Sequence, residues 1–295
     1  MHVIVCARED DAIPGEVRAA WLRELYPAAL IRVIADHYDP DDSALWARLT
    51  SVWLGGAPDV VFTSEDYGAA YAAALGCKHE LVDRQRVHRP CSGTAIRRDP
   101  YVNWHFLSAA PREWYAKRVC VVGAESTGTT TLARALAAQL RTNWVEEFGR
   151  EYSVAKFARG EHRWRSEEFV HIATEQNRRE DAAARMANRV LVCDTNAWAT
   201  QLWQRRYMGS SSKDVAALVR KADIYLLTGD EIPFVQDGSR DGEHVRHNMQ
   251  EWFVAALNRQ PVPWLLLRGA PHVRLNIAIN AVGHLFAESA WRPQL

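Results

Sequence analysis

Between residues 119 and 132 the chain reads VCVVGAESTGTTTL: four apolar residues, two glycines bounding a six-residue turn, and three threonines leading into an apolar-faced helix. Gly123-x-x-x-x-Gly128 followed by hydroxyls, set between a buried strand and a helix, is the arrangement that cradles phosphate. Its glycines let successive backbone N–H groups turn toward an anion, and the helix N-terminus adds the favourable end of its dipole. Glu125, Ser126 and Thr127 form the span of the loop, and Thr130 stands where a hydroxyl would meet Mg²⁺, with Thr129 and Thr131 on either side. Thr129 occupies the place where such loops carry lysine, so the point charge that reaches the terminal phosphates is missing. The competing reading is a structural glycine turn.

Two further stretches carry chemistry. The run 189–194, RVLVCD, ends an apolar strand on Asp194. A carboxylate there can sit on Mg²⁺ or its water, or take the proton of an attacking hydroxyl, and its burial is costly unless it is used or paired. Residues 144–152, WVEEFGREY, place Glu147, Arg150 and aromatic rings after another strand end, a set suited to a hydroxyl-bearing nucleoside. The alternative is a helix start with solvated charges. Downstream, Trp198, Trp203 and Tyr207 share one helix, where they either stack on a ligand ring or fill core. Gln176 and Asn177, on a long helix predicted over 166–187, reach the same hollow or face solvent.

The elements that must hold these residues alternate between strand and helix. Strands are predicted at 3–7, 30–35, 59–62 and near 80–82, with helices at 15–25, 43–54 and 67–75 between them. From 116 onward the same alternation resumes and runs through strands at 223–227 and 264–267 to a helix over 273–286. The expected fold is α/β, two doubly wound parallel-sheet domains covering about 1–115 and 116–295.

Composition narrows the function class. Lysine plus arginine equals aspartate plus glutamate at 36 each, so no basic excess favours nucleic acid or an acidic membrane surface. No apolar run approaches the roughly 18–20 residues of a membrane span. The five cysteines form no C-x-x-C pair and fall mostly in apolar runs, which suits reduced thiols in a cytoplasmic protein. The histidines show no zinc-ligand spacing. Small molecules are the expected partners, with neither nucleic acid nor membrane, and a homo-oligomer stays open.

Residues 91–98, CSGTAIRR, offer Ser92 as a helix cap, Thr94 as a hydroxyl and Arg97 as a guanidinium, a small anion-binding group or a plain cap with surface arginines. The Ser-Gly-Thr-Ala-Ile-Arg run resembles the second signature of the nucleotidyltransferase superfamily, whose Ser, Thr and Arg hold ATP phosphates. Followed by strand, GAESTGTTT and helix, the order resembles the bifunctional NadR-like family over essentially the whole chain. That resemblance implies a nicotinamide-mononucleotide (NMN) adenylyltransferase domain followed by a P-loop ribosylnicotinamide kinase, with ATP and Mg²⁺ as cofactors.

The family's first signature, His-x-Gly-His, occurs nowhere in this sequence. The expectation is an N-terminally truncated first domain, through a misplaced start or a natural loss, with adenylyl transfer returning only if that segment is restored. On the same reading the DNA-reading helices carried by some members are expected to be absent, and no repressor role is expected.

In the second domain the resemblance implies that Glu147 and Arg150 meet substrate ribose or phosphate. It also implies that Asp194 in Asp194-Thr195-Asn196 is catalytic or metal-linked, with Asn196 standing where the family has a second Asp. Trp144 and Trp198 are the candidates for the family's aromatic sandwich. Arg240, in Asp237-Gly-Ser-Arg, matches an arginine that closes over the phosphates; together with Arg246 it would supply the charge missing at Thr129. The expected reaction is ATP-dependent phosphorylation of nicotinamide riboside to NMN. The alternatives are a nucleotide sensor with a degenerate loop and a kinase of another nucleoside.

Overall fold

The computed structural model describes residues 1–235 and 243–293, apart from the side chains of Glu243 and His244. It folds as two compact units, 1–93 and 94–295. Residues 94–115, expected in the first domain, therefore pack with the second. Trp104 donates its indole N–H to the Ala187 carbonyl at 3.1 Å, and Arg189 reaches the Tyr101 carbonyl at 2.5 Å.

In the first unit β1 (His2–Ala7), α1 (Gly15–Leu25), β2 (Leu30–Ala35), α2 (Ser43–Leu54), β3 (Val60–Thr63), α3 (Gly68–Leu75) and β4 (Lys78–Leu81) alternate as the sequence predicts. All pairing is parallel, β1 with β2 from His2↔Leu30 to Ala7↔Ala35 and β3 with β4 from Val60↔Lys78 to Thr63↔Leu81. These are two separate two-stranded ladders, where one continuous wound sheet was expected. The helices pack on each other through a hydroxyl pair, Thr50 Oγ1 and Tyr71 Oη, 2.7 Å apart.

The second unit opens with α4 (Gly93–Arg98, beginning at the unit boundary) and α5 (Ala109–Tyr115). It continues through β5 (Lys117–Val122), α6 (Thr129–Gln139), β6 (Trp144–Val145), α7 (Phe148–Ala158), α8 (Ser166–Ala184), β7 (Val190–Asp194) and α9 (Ala197–Met208). α10 (Lys213–Ala217), β8 (Ile224–Thr228), α11 (Glu243–Leu257), β9 (Trp264–Leu267) and α12 (Pro271–His284) complete it. Its sheet is fully parallel in the order β6-β7-β5-β8-β9, so the strand that precedes the glycine loop lies at the centre. Central strands of such a sheet are covered on both faces and read as unbroken apolar runs, and Val119, Cys120 and Val121 are fully buried.

The sheet's order reverses at β5, and ligands collect beyond the carboxyl ends of strands at such a point. Asp99 holds the start of this unit to its end: its carboxylate accepts from the N–H groups of Tyr101 and Val102 and from Ser289 Oγ and Ala290 N–H.

One carboxyl is sealed inside this core. Glu180 on α8 is 2 % exposed, and Gln176 Nε2 reaches it at 3.4 Å. Burial pushes its pKa up to about 7, with Arg118 pulling the other way. A carboxyl raised in the folded state binds its proton more tightly there, so its favourable contribution is complete below the unfolded value near 4.5 and declines as pH rises through about 7. The difference is on the order of 3 kcal/mol. Glu180→Gln should flatten the fall in thermal midpoint between pH 5 and 8 relative to the unsubstituted protein; parallel curves would contradict this reading.

Candidate active site

The loop 123–128 turns at Gly128, whose φ of +86° is left-handed, and α6 begins at Thr129. It is fastened from behind. Thr127, 1 % exposed, donates to the Ala124 carbonyl and shares a 2.7 Å hydrogen bond with Thr228 Oγ1 at the end of β8. Gln250 on α11 accepts from Ala124 N–H at 3.4 Å and donates to the Thr228 carbonyl at 2.8 Å. Ser126 also takes a left-handed φ, +59°, and its hydroxyl accepts from Val235 N–H.

In front of the loop lies a hollow of about 120 Å³, lined by Gly123, Glu125, Ser126, Thr129 and Thr130 among others. Thr127 serves the loop's own fastening, and Thr131 is exposed on α6, outside the lining. Thr130 Oγ1 donates to Asp194 Oδ2 at 2.5 Å, from the first turn of α6 to the tip of β7. Asp194 is 2 % exposed. Burial raises its pKa, and hydrogen bonds from Thr130 and Thr129 pull it back. Thr195 follows with φ +67°, a strained conformation for a β-branched residue, and its N–H donates to the Val121 carbonyl.

Glu147 stands before α7 as its N-cap residue and lines the same hollow with Arg150. Burial, reinforced by the neighbouring Asp194 charge, raises the Glu147 pKa to about 8, against the pull of Arg150. A carboxyl raised to about 8 beside a phosphate-type loop is suited to proton transfer near neutral pH. Gln176 joins them: its Oε1 accepts from Phe148 N–H at 3.0 Å and fixes the first turn of α7. Asn177 turns the other way and donates to the Leu218 carbonyl.

The remaining wall is aromatic. Phe157, Trp164, Phe169, Trp203 and Tyr207 line it, from α7, α9 and the start of α8 with the residues before it. Trp144 and Trp198, the expected stacking rings, are not among the lining residues. Trp198 packs 4.7 Å from Tyr225 in the core, and Trp144 sits under the Arg134 guanidinium. Asn196 caps α9 by accepting from Ala199 N–H.

A buried ion pair supports the aromatic wall: Lys156 Nζ meets Glu168 Oε1 at 2.8 Å and lies 5.3 Å from the Trp164 ring centroid. Burial would lift the Glu168 pKa, yet bonds from Lys156, Arg165 N–H and the Tyr152 hydroxyl hold it below its ordinary value.

Arg240 lies outside the described residues. Arg246 is 1 % exposed and donates through Nη2 to the carbonyls of Asp230 and Ile232. It therefore anchors the segment after β8 and does not line the hollow. In the first unit Ser92 is half-buried; Thr94 and Arg97 open the second unit, with Arg97 Nη2 donating to Thr94 Oγ1 at 3.3 Å.

A fully parallel sheet with a glycine loop at its switch point, a hydroxyl–carboxylate pair at the loop and a walled hollow beside it defines a P-loop nucleotide-binding protein with a kinase-like fold. The chain belongs to the family described as "AAA domain", whose model matches residues 118–274, and it is similar to the NadR proteins.

It is 31% identical over 189 residues to the trifunctional NAD biosynthesis/regulator protein NadR of Escherichia coli K12, covering 63% of this chain and 46% of that one. It is 29% identical over 223 residues to the protein of the same name from Salmonella typhimurium LT2, covering 74% and 54%. The chain thus spans about half the length of these curated relatives. A crystal structure of a NadR protein in complex with NR superposes with a TM-score of 0.78 at 21% identity, over 100% of this chain and 89% of that one. Another, with NAD and AMP-PNP, gives 0.71 at 21% identity, over 100% and 90%.

The ion pair behind Trp164 yields a stability test. Lys156→Met leaves Glu168 buried without its cation and should cost about 3–5 kcal/mol, while Lys156→Met combined with Glu168→Leu should recover most of that loss. Chemical denaturation of the two variants measures the difference. A double variant no more stable than the single one would contradict it.

Proposed function

We propose that this chain phosphorylates nicotinamide riboside with ATP, giving NMN and ADP. One observation carries the reading: the raised carboxyl of Glu147 lines the same hollow as the glycine loop and five aromatic side chains, and the buried Asp194 reaches that hollow through its bond with Thr130. Such a hollow suits a nucleoside whose flat ring lies among aromatic side chains while its 5′-hydroxyl faces the loop. The NadR names of the relatives support the choice of substrate.

In the proposed reaction the 5′-oxygen forms a bond to the γ-phosphorus as the bond from that phosphorus to the β,γ-bridging oxygen breaks. The hydroxyl proton passes to Glu147, with Asp194 the second candidate acceptor, and ADP leaves. Loop N–H groups from Glu125 through Thr130 receive the phosphate oxygens, and Arg150 faces the ribose or the transferred group. Thr130 and Asp194 present hard oxygen donors at hydrogen-bond distance from each other, a set that fits magnesium held partly by nucleotide phosphates. When bound, that ion neutralises charge on the β- and γ-phosphates. Arg240 is proposed to contribute the cation absent at Thr129.

For residues 1–115 a nucleotidyltransferase-like role is proposed, with Ser92, Thr94 and Arg97 toward nucleotide phosphate. Adenylylation of NMN is assigned to a polypeptide that carries the His-x-Gly-His signature. The cytoplasm, where ATP is abundant, is the proposed location. Among the described residues no helix is long and apolar enough to cross a membrane.

Transfer of labelled γ-phosphate from ATP to nicotinamide riboside tests the reading. Turnover supports it. Nucleotide binding without transfer favours the sensor alternative that Thr129 raises, and transfer to a different nucleoside corrects the substrate. As the proton acceptor, Glu147 must be ionised, so kcat should rise with pH toward about 8. Glu147→Gln should remove that limb and lower kcat by roughly 10²–10⁴-fold. Trp203→Ala should raise the nucleoside KM on the order of tenfold, from a lost stacking contact worth about 1 kcal/mol or more, with MgATP affinity within twofold.

A further inference from the structure

Against the glycine loop, outside the hollow's lining, lies a guanidinium that the reaction scheme does not use. Arg274, in the first turn of α12, is 4 % exposed. Nη1 donates to the Thr127 carbonyl at 2.8 Å, Nη2 to the Gly229 carbonyl at 3.1 Å and Nε to the Gly269 carbonyl at 3.0 Å. Nη2 also meets Glu231 Oε1 at 2.7 Å, and the same oxygen accepts from Gly269 N–H at 2.7 Å. One planar group thus joins the glycine loop to the two segments that follow β8 and β9.

This arrangement bears directly on phosphate binding. In a trans peptide the C=O and the next N–H point in opposite directions. Fixing the Thr127 carbonyl on Arg274 therefore turns the Gly128 N–H away from the guanidinium. A β-carbon at Gly128 would lie 3.6 Å from Ile232 Cδ1 and 3.9 Å from Arg274 Nη1, so the guanidinium lies beside the turn at ordinary contact range. Glu231 pairs with the charge of Arg274, which leaves the guanidinium's shape as its distinctive contribution. Carbonyls in three directions need a rigid fork of donors, which arginine has and lysine lacks.

We propose that Arg274 is a positioning residue for nucleotide phosphate: it holds the glycine loop in its anion-accepting form before the nucleotide arrives. A loop set in advance loses less conformational freedom on binding, and this offsets the lysine missing at Thr129. The proposal builds on the kinase reading for its turnover readout, whereas its affinity readout stands without it.

The test compares Arg274→Lys and Arg274→Ala with the unsubstituted full chain. MgATP Kd is measured by calorimetry, and kcat and both KM values by phosphate transfer. Arg274→Lys keeps the charge and should still raise the MgATP Kd at least tenfold. Saturating kcat should stay within threefold and the nucleoside KM within twofold. Arg274→Ala should show the same loss, and millimolar methylguanidinium should restore at least half of it on a logarithmic scale.

A Kd within threefold for Arg274→Lys overturns the proposal. So does a rise in nucleoside KM that matches the rise in Kd, or an alanine variant that methylguanidinium leaves unchanged. Should Arg274→Ala fail to fold, the lysine variant decides alone. A protein that binds MgATP but phosphorylates no nucleoside overturns the kinase reading and leaves the Kd comparison standing.

Discussion

A β-carbon added at position 123 would lie 2.4 Å from Thr228 Oγ1 and 2.6 Å from Thr127 Oγ1, closer than real side-chain atoms come. The two hydroxyls bond each other across the space that Gly123 leaves free, and the loop folds over that bond. Strand β5 can then release its chain straight into α6, with the loop backbone facing the hollow. Every other part of the site takes its bearing from this fold-back. Asp194 meets Thr130 because β5 and β7 are in parallel register, with Cys120 opposite Cys193 and Val121 opposite Asp194.

The acid cluster follows from placing several carboxyls at one end of a dry sheet. Asp194 ends a strand buried along its whole length, and Glu147 precedes a helix whose first N–H is taken by Gln176. Asp194 cannot reach bulk water without undoing its strand, and Glu147, half-buried, faces only the hollow that it lines. Their raised pKa values are thus a property of the architecture, and proton transfer that uses Glu147 inherits a requirement for near-neutral pH or above.

The parts legible in the sequence are those encoded by short spacing. The glycine loop, the strand ending in Asp194 and the order of elements depend on residues close together in the chain, and the structure contains them. The aromatic wall was less legible because Phe157, Trp164, Phe169, Trp203 and Tyr207 come from distant stretches that only the packing of α7, α8 and α9 brings together. A partial clue existed: Trp203 and Tyr207 are four apart and share a helix face, whereas Trp198 and Trp203 are five apart and diverge by about 140°. Arg246 was expected near phosphate and instead ties down the backbone after β8, since a buried guanidinium binds the carbonyls nearest to it. Nothing in the sequence marks Arg274, whose acceptors come from three separate segments. The split of the first unit into two ladders was equally invisible, because each ladder alone satisfies the strand–helix alternation.

Asp99 bears on how the second unit can be used. By bonding Ser289 and Ala290 it brings the two ends of a roughly 200-residue body within hydrogen-bond reach of each other. Polypeptide can enter and leave such a body at one place on its rim, the geometry that tolerates circular permutation and insertion between other modules. New termini would be least disruptive in an exposed turn such as Gly209–Ser211, distant in sequence from both the glycine loop and Asp194. The unit is in this sense portable, free to be joined to different companions without opening its sheet.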